Sequence, residues 1–151
     1  MEGRPDRVGQ RLCIAILVYS YMDSNLLGNI GEIKSIEYLI RLGYHCYTSA
    51  SGCGPVDIVA IKADKVLKIE CKSSNYIKST PTGQKCIVQL RSVRYNRNKI
   101  ESRKFDASKS DICFIWIEQF QKLYIYDSSF LNGKTSIAIR LNTKEVNSTK
   151  L

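Results

Sequence analysis

A chain of 151 residues, 44% of them hydrophobic, suits one globular domain that buries its core without staples. The 23 Lys and Arg against 14 Asp and Glu leave a formal charge of +9, which favours a polyanionic partner, either nucleic acid or an anionic membrane surface. The six cysteines form no C-x-x-C pair and share the chain with one histidine, His45, so the closely spaced soft ligands of structural zinc are missing, and reduced thiols in an intracellular protein are expected.

In chain order, Leu12 to Tyr19 (LCIAILVY) is apolar but too short to span a bilayer, and no small-x-small cleavage site follows it. Met22 opens a more ordinary start. Residues 1–21 are therefore set apart as an upstream extension, a cloning remnant or an added strand or helix, and residues 22–151 as a single domain. Ile30, Ile33, Ile36, Leu39 and Ile40 recur at three- and four-residue steps, which predicts an amphipathic helix over 29 to about 42 with Gly43 as its stop. YHCYTS (44–49) reads as a strand and SGCGP (51–55) as a tight loop. VDIVAIK (56–62) and VLKIECK (66–72) read as two strands joined by Ala63-Asp64-Lys65. Further strands are expected at 86–93, at 111–117 (buried and central), at 122–126 and, along an edge, at 136–141. The fold class is α/β: a central mixed β-sheet opened and flanked by helix, with no internal repeat.

The chemistry lies in the two adjoining strands. A period of two puts Leu67, Ile69 and Cys71 on one face and Lys68, Glu70 and Lys72 on the other, so a carboxylate and an ammonium point into the same space. Asp57 interrupts an otherwise apolar strand just after the Gly-rich loop, where a carboxylate is costly unless paired, hydrogen-bonded or coordinating a cation. Two carboxylates from neighbouring strands make a hard oxygen site suited to Mg²⁺, which keeps several waters and binds phosphate oxygens. The nearby lysine would steady the attacking water or the charge developing on the phosphoryl oxygens. E-x-K by itself is common on solvated strand faces. The upstream strand Asp and the alternation through both strands give this instance its weight.

Gly31-Glu32 on the helix, Gly54-Pro55-Val56-Asp57 and Glu70-Cys71-Lys72 together resemble the PD-(D/E)XK nuclease superfamily, over about residues 28–93. GEIKSIEYLIRLGY followed by SASGCGPVDIVAI is similar to its resolvase-like branch, and within that branch to small group I intron-encoded homing endonucleases. Val56 separates the proline from the aspartate, so the literal P-D dipeptide is absent. The resemblance implies a restriction-endonuclease-like core, with Asp57 and Glu70 holding Mg²⁺ (Mn²⁺ substituting) helped by the Cys71 carbonyl. It further implies that Lys72 orients or activates water and that Glu32 binds the metal or its water shell.

Arg91, Arg94, Arg97, Lys99, Arg103 and Lys104 crowd one stretch offset only by Glu101, and could neutralise phosphates or reach guanine edges, or simply form a solvated basic helix or loop. Ser73, Ser74 and Asn75 after the motif strand, and Ser49, Ser51 and Gly52 before Asp57, are candidate contacts to the DNA backbone. Trp116 reads as core. The expected activity is a site-specific endonuclease making double-strand breaks in DNA. A Holliday-junction resolvase and a non-catalytic basic nucleic-acid-binding module are the alternatives. The expected partners are double-stranded DNA and a second copy, as a homodimer or homotetramer, with no membrane. The apolar FIWI, LYIY and SIAI segments exceed what one thin sheet needs and suggest the interface. The expected location is the cytoplasm or an organelle.

Overall fold

A computed structural model describes residues 22–52, 54–96 and 99–140. Asp23 opens helix α1 (Ser24–Arg41): its carboxylate accepts from the backbone N–H groups of Asn25 (2.6 Å) and Leu26 (3.1 Å). This cap starts the helix five residues before the start expected at residue 29. Gly43 ends it at φ 83°, where a side chain would be strained, with Tyr44 N–H donating back to the Leu39 carbonyl at 3.0 Å.

The buried stripe of α1 differs from the expected one. Leu27, Gly31, Ser35 and Leu39 face the sheet, while Ile33 and Ile40 are 61% and 58% exposed. The reason is size. Gly31 and Ser35 let the helix axis come close, and Ser35 Oγ satisfies itself on the Gly31 carbonyl at 2.7 Å. A Cβ on Gly31 would collide with Ser73 Oγ and press on Trp116 Cβ at 3.3 Å.

The main sheet takes β1 (His45–Thr48), β2 (Ile58–Lys62), β3 (Lys65–Ser74), β8 (Ile112–Ile117) and β9 (Lys122–Asp127) in the order β1-β2-β3-β8-β9. Only the β3–β8 pairing is parallel. Between them the chain builds β4 (Ile77–Thr80) and β5 (Gly83–Gln89), then the two-stranded ribbon β6 (Ser92–Asn96) and β7 (Lys99–Arg103). A short helix α2 (Ser128–Leu131) follows β9, and β10 (Ser136–Arg140) joins β5, giving a second sheet in the order β10-β5-β4. The strand expected at 86–93 is thus displaced toward the N-terminus. The basic stretch after it is a ribbon rather than a helix or loop.

All six residues of β8 are buried. Phe114 packs with Leu39, Ile58, Leu67 and Ile69 under α1, while Cys113, Ile115 and Ile117 pack with Val88, Leu90, Phe105 and Ile139 under the second sheet. The apolar C-terminal half therefore completes the chain's own core, and the surplus patch expected there is not found. Exposed apolar side chains are scattered, with Leu26, Ile33 and Ile40 on the outer face of α1 and others such as Ile100 and Phe130 elsewhere. No helix among the described residues is long and apolar enough to cross a membrane.

The contact at Gly31 gives a stability prediction. Gly31→Ala should cost about 1–3 kcal/mol by overpacking. Ser73→Ala should cost little alone, because it removes a buried hydroxyl with no hydrogen-bond partner. It should also recover part of the Gly31→Ala loss. Denaturant midpoints of the two single variants and the double variant check the coupling.

Candidate active site

Asp57 stands at the mouth of β2 and is tied to β3 twice. Its backbone N–H donates to the Ile69 carbonyl (3.1 Å), and its Oδ2 accepts the Cys71 N–H (2.6 Å). One residue to either side of Cys71, Glu70 and Lys72 share the opposite strand face. Lys72 Nζ lies 2.6 Å from Glu70 Oε1, with both side chains only about one-fifth exposed (19% and 21%). Burial opposes the Lys72 charge, but Glu70 and Asp57 outweigh it and hold the ammonium above its ordinary range. The Cys71 thiol packs against the core under α1, and burial pushes it up strongly, so it stays a thiol and leaves only its carbonyl as a donor.

The close approach at Gly31 carries Glu32 toward this edge of the sheet. Glu32 and Asp57 line one recess of about 60 Å³, closed by Thr48, Ser49, Gly52, Gly54 and Val56. Burial, then the charge of Asp57, raises the Glu32 carboxyl. Asp57 is raised by burial first and by Glu70, against the lowering effect of the Cys71 N–H and of Lys72. The folded chain thus holds acidic groups where their charge is disfavoured, a condition that a cation relieves.

Among the described residues no group of three or more His, Cys, Asp and Glu side chains is gathered closely enough to ligate a metal ion. The donors present still fit Mg²⁺, which needs only one or two carboxylates and keeps its waters. Asp57 and Glu70 each commit one oxygen, to the Cys71 N–H and to Lys72, and among the described residues the other makes no hydrogen bond.

The remaining sequence candidates divide. Ser49 and Gly52 line the Glu32–Asp57 recess, and Ser51 lies beside them with its Oγ 2.9 Å from that of Ser49. Asn75 and Arg91 are exposed. Arg103 and Lys104 line a second groove that reaches Glu70. Arg97 and the side chains of Arg94 and Lys99 lie outside the described residues. Two serines are corrections. Ser73 Oγ is enclosed against Gly31, and Ser74 is buried with its Oγ donating to the Ile87 carbonyl at 2.7 Å, so neither hydroxyl is available to DNA. Trp116 is core, its Nε1–H given to Glu118 at 2.5 Å. Sequence reasoning missed Thr48 in the recess and Ser92 and Lys109 in the groove, which only the fold brings there.

The family model for the PD-(D/E)XK endonuclease matches residues 22–151. The chain belongs to that family. Its restriction-endonuclease-like fold is also that of a solved bacterial homing endonuclease, I-Ssp6803I. The TM-score is 0.66 at 22% identity, over 86% of this chain and 85% of that one. No curated protein matches the sequence.

Family membership makes the chain an endonuclease, and the raised Asp57 pKa sets a test of its site. Because the folded-state value lies above the unfolded one, ionised Asp57 costs stability, and the cost grows as pH rises from about 4. Asp57→Asn should therefore raise the metal-free melting temperature at neutral pH. That gain should shrink as the pH falls and the parent's Asp57 takes up its proton. The variant should also lose most of the parent's further rise on adding Mg²⁺. Melting curves at two pH values, with Mg²⁺ and with chelator, measure all three.

Proposed function

We propose that this endonuclease is Mg²⁺-dependent and site-specific, cuts both strands of double-stranded DNA by phosphodiester hydrolysis, and serves intron homing. The observation that carries the reading is the Asp57–Glu70–Lys72 arrangement: two carboxylates with an oxygen each to spare, beside an ammonium held charged at the same edge. Similarity in fold to a homing endonuclease supports the biological setting.

Asp57, Glu70 and the Cys71 carbonyl would hold the cation, and Glu32 would order its water shell from the helix side. When bound, Mg²⁺ lowers the pKa of water and neutralises charge on the phosphate. Lys72, held charged beside Glu70, would orient the attacking water and meet the charge that builds on the phosphoryl oxygens. The half-buried surroundings of Asp57 and Lys72 strengthen both interactions relative to open solvent.

One chain has one such site, and one site cuts one strand. We therefore propose a two-fold oligomer, dimer or tetramer, in which two sites face opposite strands. Light scattering at micromolar concentration should give at least twice the 17.2 kDa chain mass. A monomer that makes concerted double-strand breaks would remove the need for pairing.

For the chemistry, Lys72→Ala should lower the cleavage rate about a hundred- to a thousandfold, while DNA affinity stays within a few fold. Plasmid cleavage in Mg²⁺, with sequencing of the ends, measures the rate and separates one long duplex site from four-way junctions. Cleavage by Lys72→Ala at the parent's rate would refute the assignment.

A further inference from the structure

The second groove, about 160 Å³, runs from Glu70 to the foot of the β6–β7 ribbon and is lined by Leu90, Ser92, Arg103, Lys104, Phe105, Asp106 and Lys109. We propose that it is a phosphate-positioning subsite, in which Lys104 and Lys109, with Arg103, hold a backbone phosphate close to the scissile one. This rests on the DNA-cleaving reading above and adds to it where the strand runs and which residues align it.

Charge is the first argument. Arg103, Lys104 and Lys109 face two lining carboxylates, of which Glu70 is already balanced by Lys72, while Arg103 is itself paired with Glu101 at 3.0 Å in an exposed ion pair worth little. The other lining carboxylate, Asp106, accepts from the N–H and Oγ of Ser108 (3.1 and 2.7 Å) and meets Lys109 only at 3.8 Å, with both side chains nearly half exposed. Lys104 makes no ion pair among the described residues. The groove therefore presents donors that an anion could take over at small cost.

Rigidity is the second. The floor is Leu90 and Phe105, 1% and 4% exposed, packed in the core beneath the second sheet. Leu90 and Arg91 N–H both donate to the Thr135 carbonyl (2.9 and 3.2 Å), Phe105 N–H donates to Lys134 (3.0 Å), and Gly133 N–H returns to Phe105 (2.9 Å). Both strands of the ribbon thus leave one clamped base, which holds the groove floor in place beside Glu70. A subsite held this way pre-orients substrate rather than merely attracting it.

Register is the third. Ser92 pairs with Arg103 and both line the groove, while their neighbours Val93 and Ser102 pair on the alternate face. A two-stranded ribbon is of a width that enters the major groove, so a phosphate seated at its foot sets how the ribbon meets the bases beyond.

The test measures binding of a short DNA duplex against salt for the parent, Lys104→Ala, Lys109→Ala and the double variant, with Lys65→Ala, at the exposed start of β3, as control. Each groove lysine should lower the slope of log affinity against log salt by about one, the pair by about two, and Lys65→Ala should leave it unchanged. At a mapped cleavage site the loss should fall on KM more than on kcat. Neutral methylphosphonates placed singly around the cut should reveal one position that weakens the parent yet costs the double variant nothing further. An unchanged slope in the double variant, or methylphosphonate penalties equal in parent and double variant, would overturn the subsite. A parent that binds DNA but never cuts it defeats the DNA-cleaving reading instead, and the salt slopes still decide this one.

Discussion

The hydrogen bond from the Cys71 N–H to Asp57 Oδ2 is the contact on which the site's geometry depends. It ties the loop before β2 to the centre of β3, so that a residue from one strand is placed against Glu70 and Lys72 from the next. It also occupies one carboxylate oxygen of Asp57. Charge concentration follows from that placement. Burial raises Glu32 and Asp57; the charge of Asp57 adds to the first and that of Glu70 to the second, while the Cys71 N–H and Lys72 partly offset the rise of Asp57. Ionised, Glu32 and Asp57 therefore cost the fold stability.

What holds this strained edge steady is the burial of β8 on both faces. Its parallel pairing with β3 places Cys113 beside Glu70 and Ile115 beside Lys72. The Glu70–Lys72 pair therefore rests against a strand with no exposed residue. Burial keeps the Cys113 thiol protonated, pushed up to about 12, so it adds no charge of its own. On the far side α1 is drawn down at Gly31, and that closeness places Glu32 rather than any capping or ionic contact of its own. The crossover from β3 to β8 is long enough to build β4 and β5 of the second sheet and to leave the ribbon standing beside the groove.

The β2–β3 hairpin and β8 were legible in sequence because apolar alternation, or a continuous apolar run, records burial directly. Asp57, Glu70 and Lys72 were legible for the converse reason, as charges where the pattern asks for apolar residues. The helix stripe was misread because its contact is made by Gly31 and Ser35, small residues that hydrophobic periodicity does not register. Strands β4, β6 and β7 (IKST, SVRYN, KIESR) are polar and held by cross-strand pairing, so no burial pattern marks them. The parity of β3 could have placed Ser73: it follows Leu67, Ile69 and Cys71 on the helix side, where no DNA can reach it. Lys109 carried no signal, since its relation to Glu70 exists only after β8 folds beside β3.

The central claim is that Asp57 and Glu70 jointly hold a divalent cation at this edge of the sheet. Anomalous diffraction from crystals of the protein soaked in Mn²⁺ tests it most directly. The account predicts a peak within about 2–2.5 Å of an oxygen from each of Asp57 and Glu70, with the Cys71 carbonyl facing it. A peak bound to other residues, or none at a Mn²⁺ concentration that supports cleavage, would contradict it.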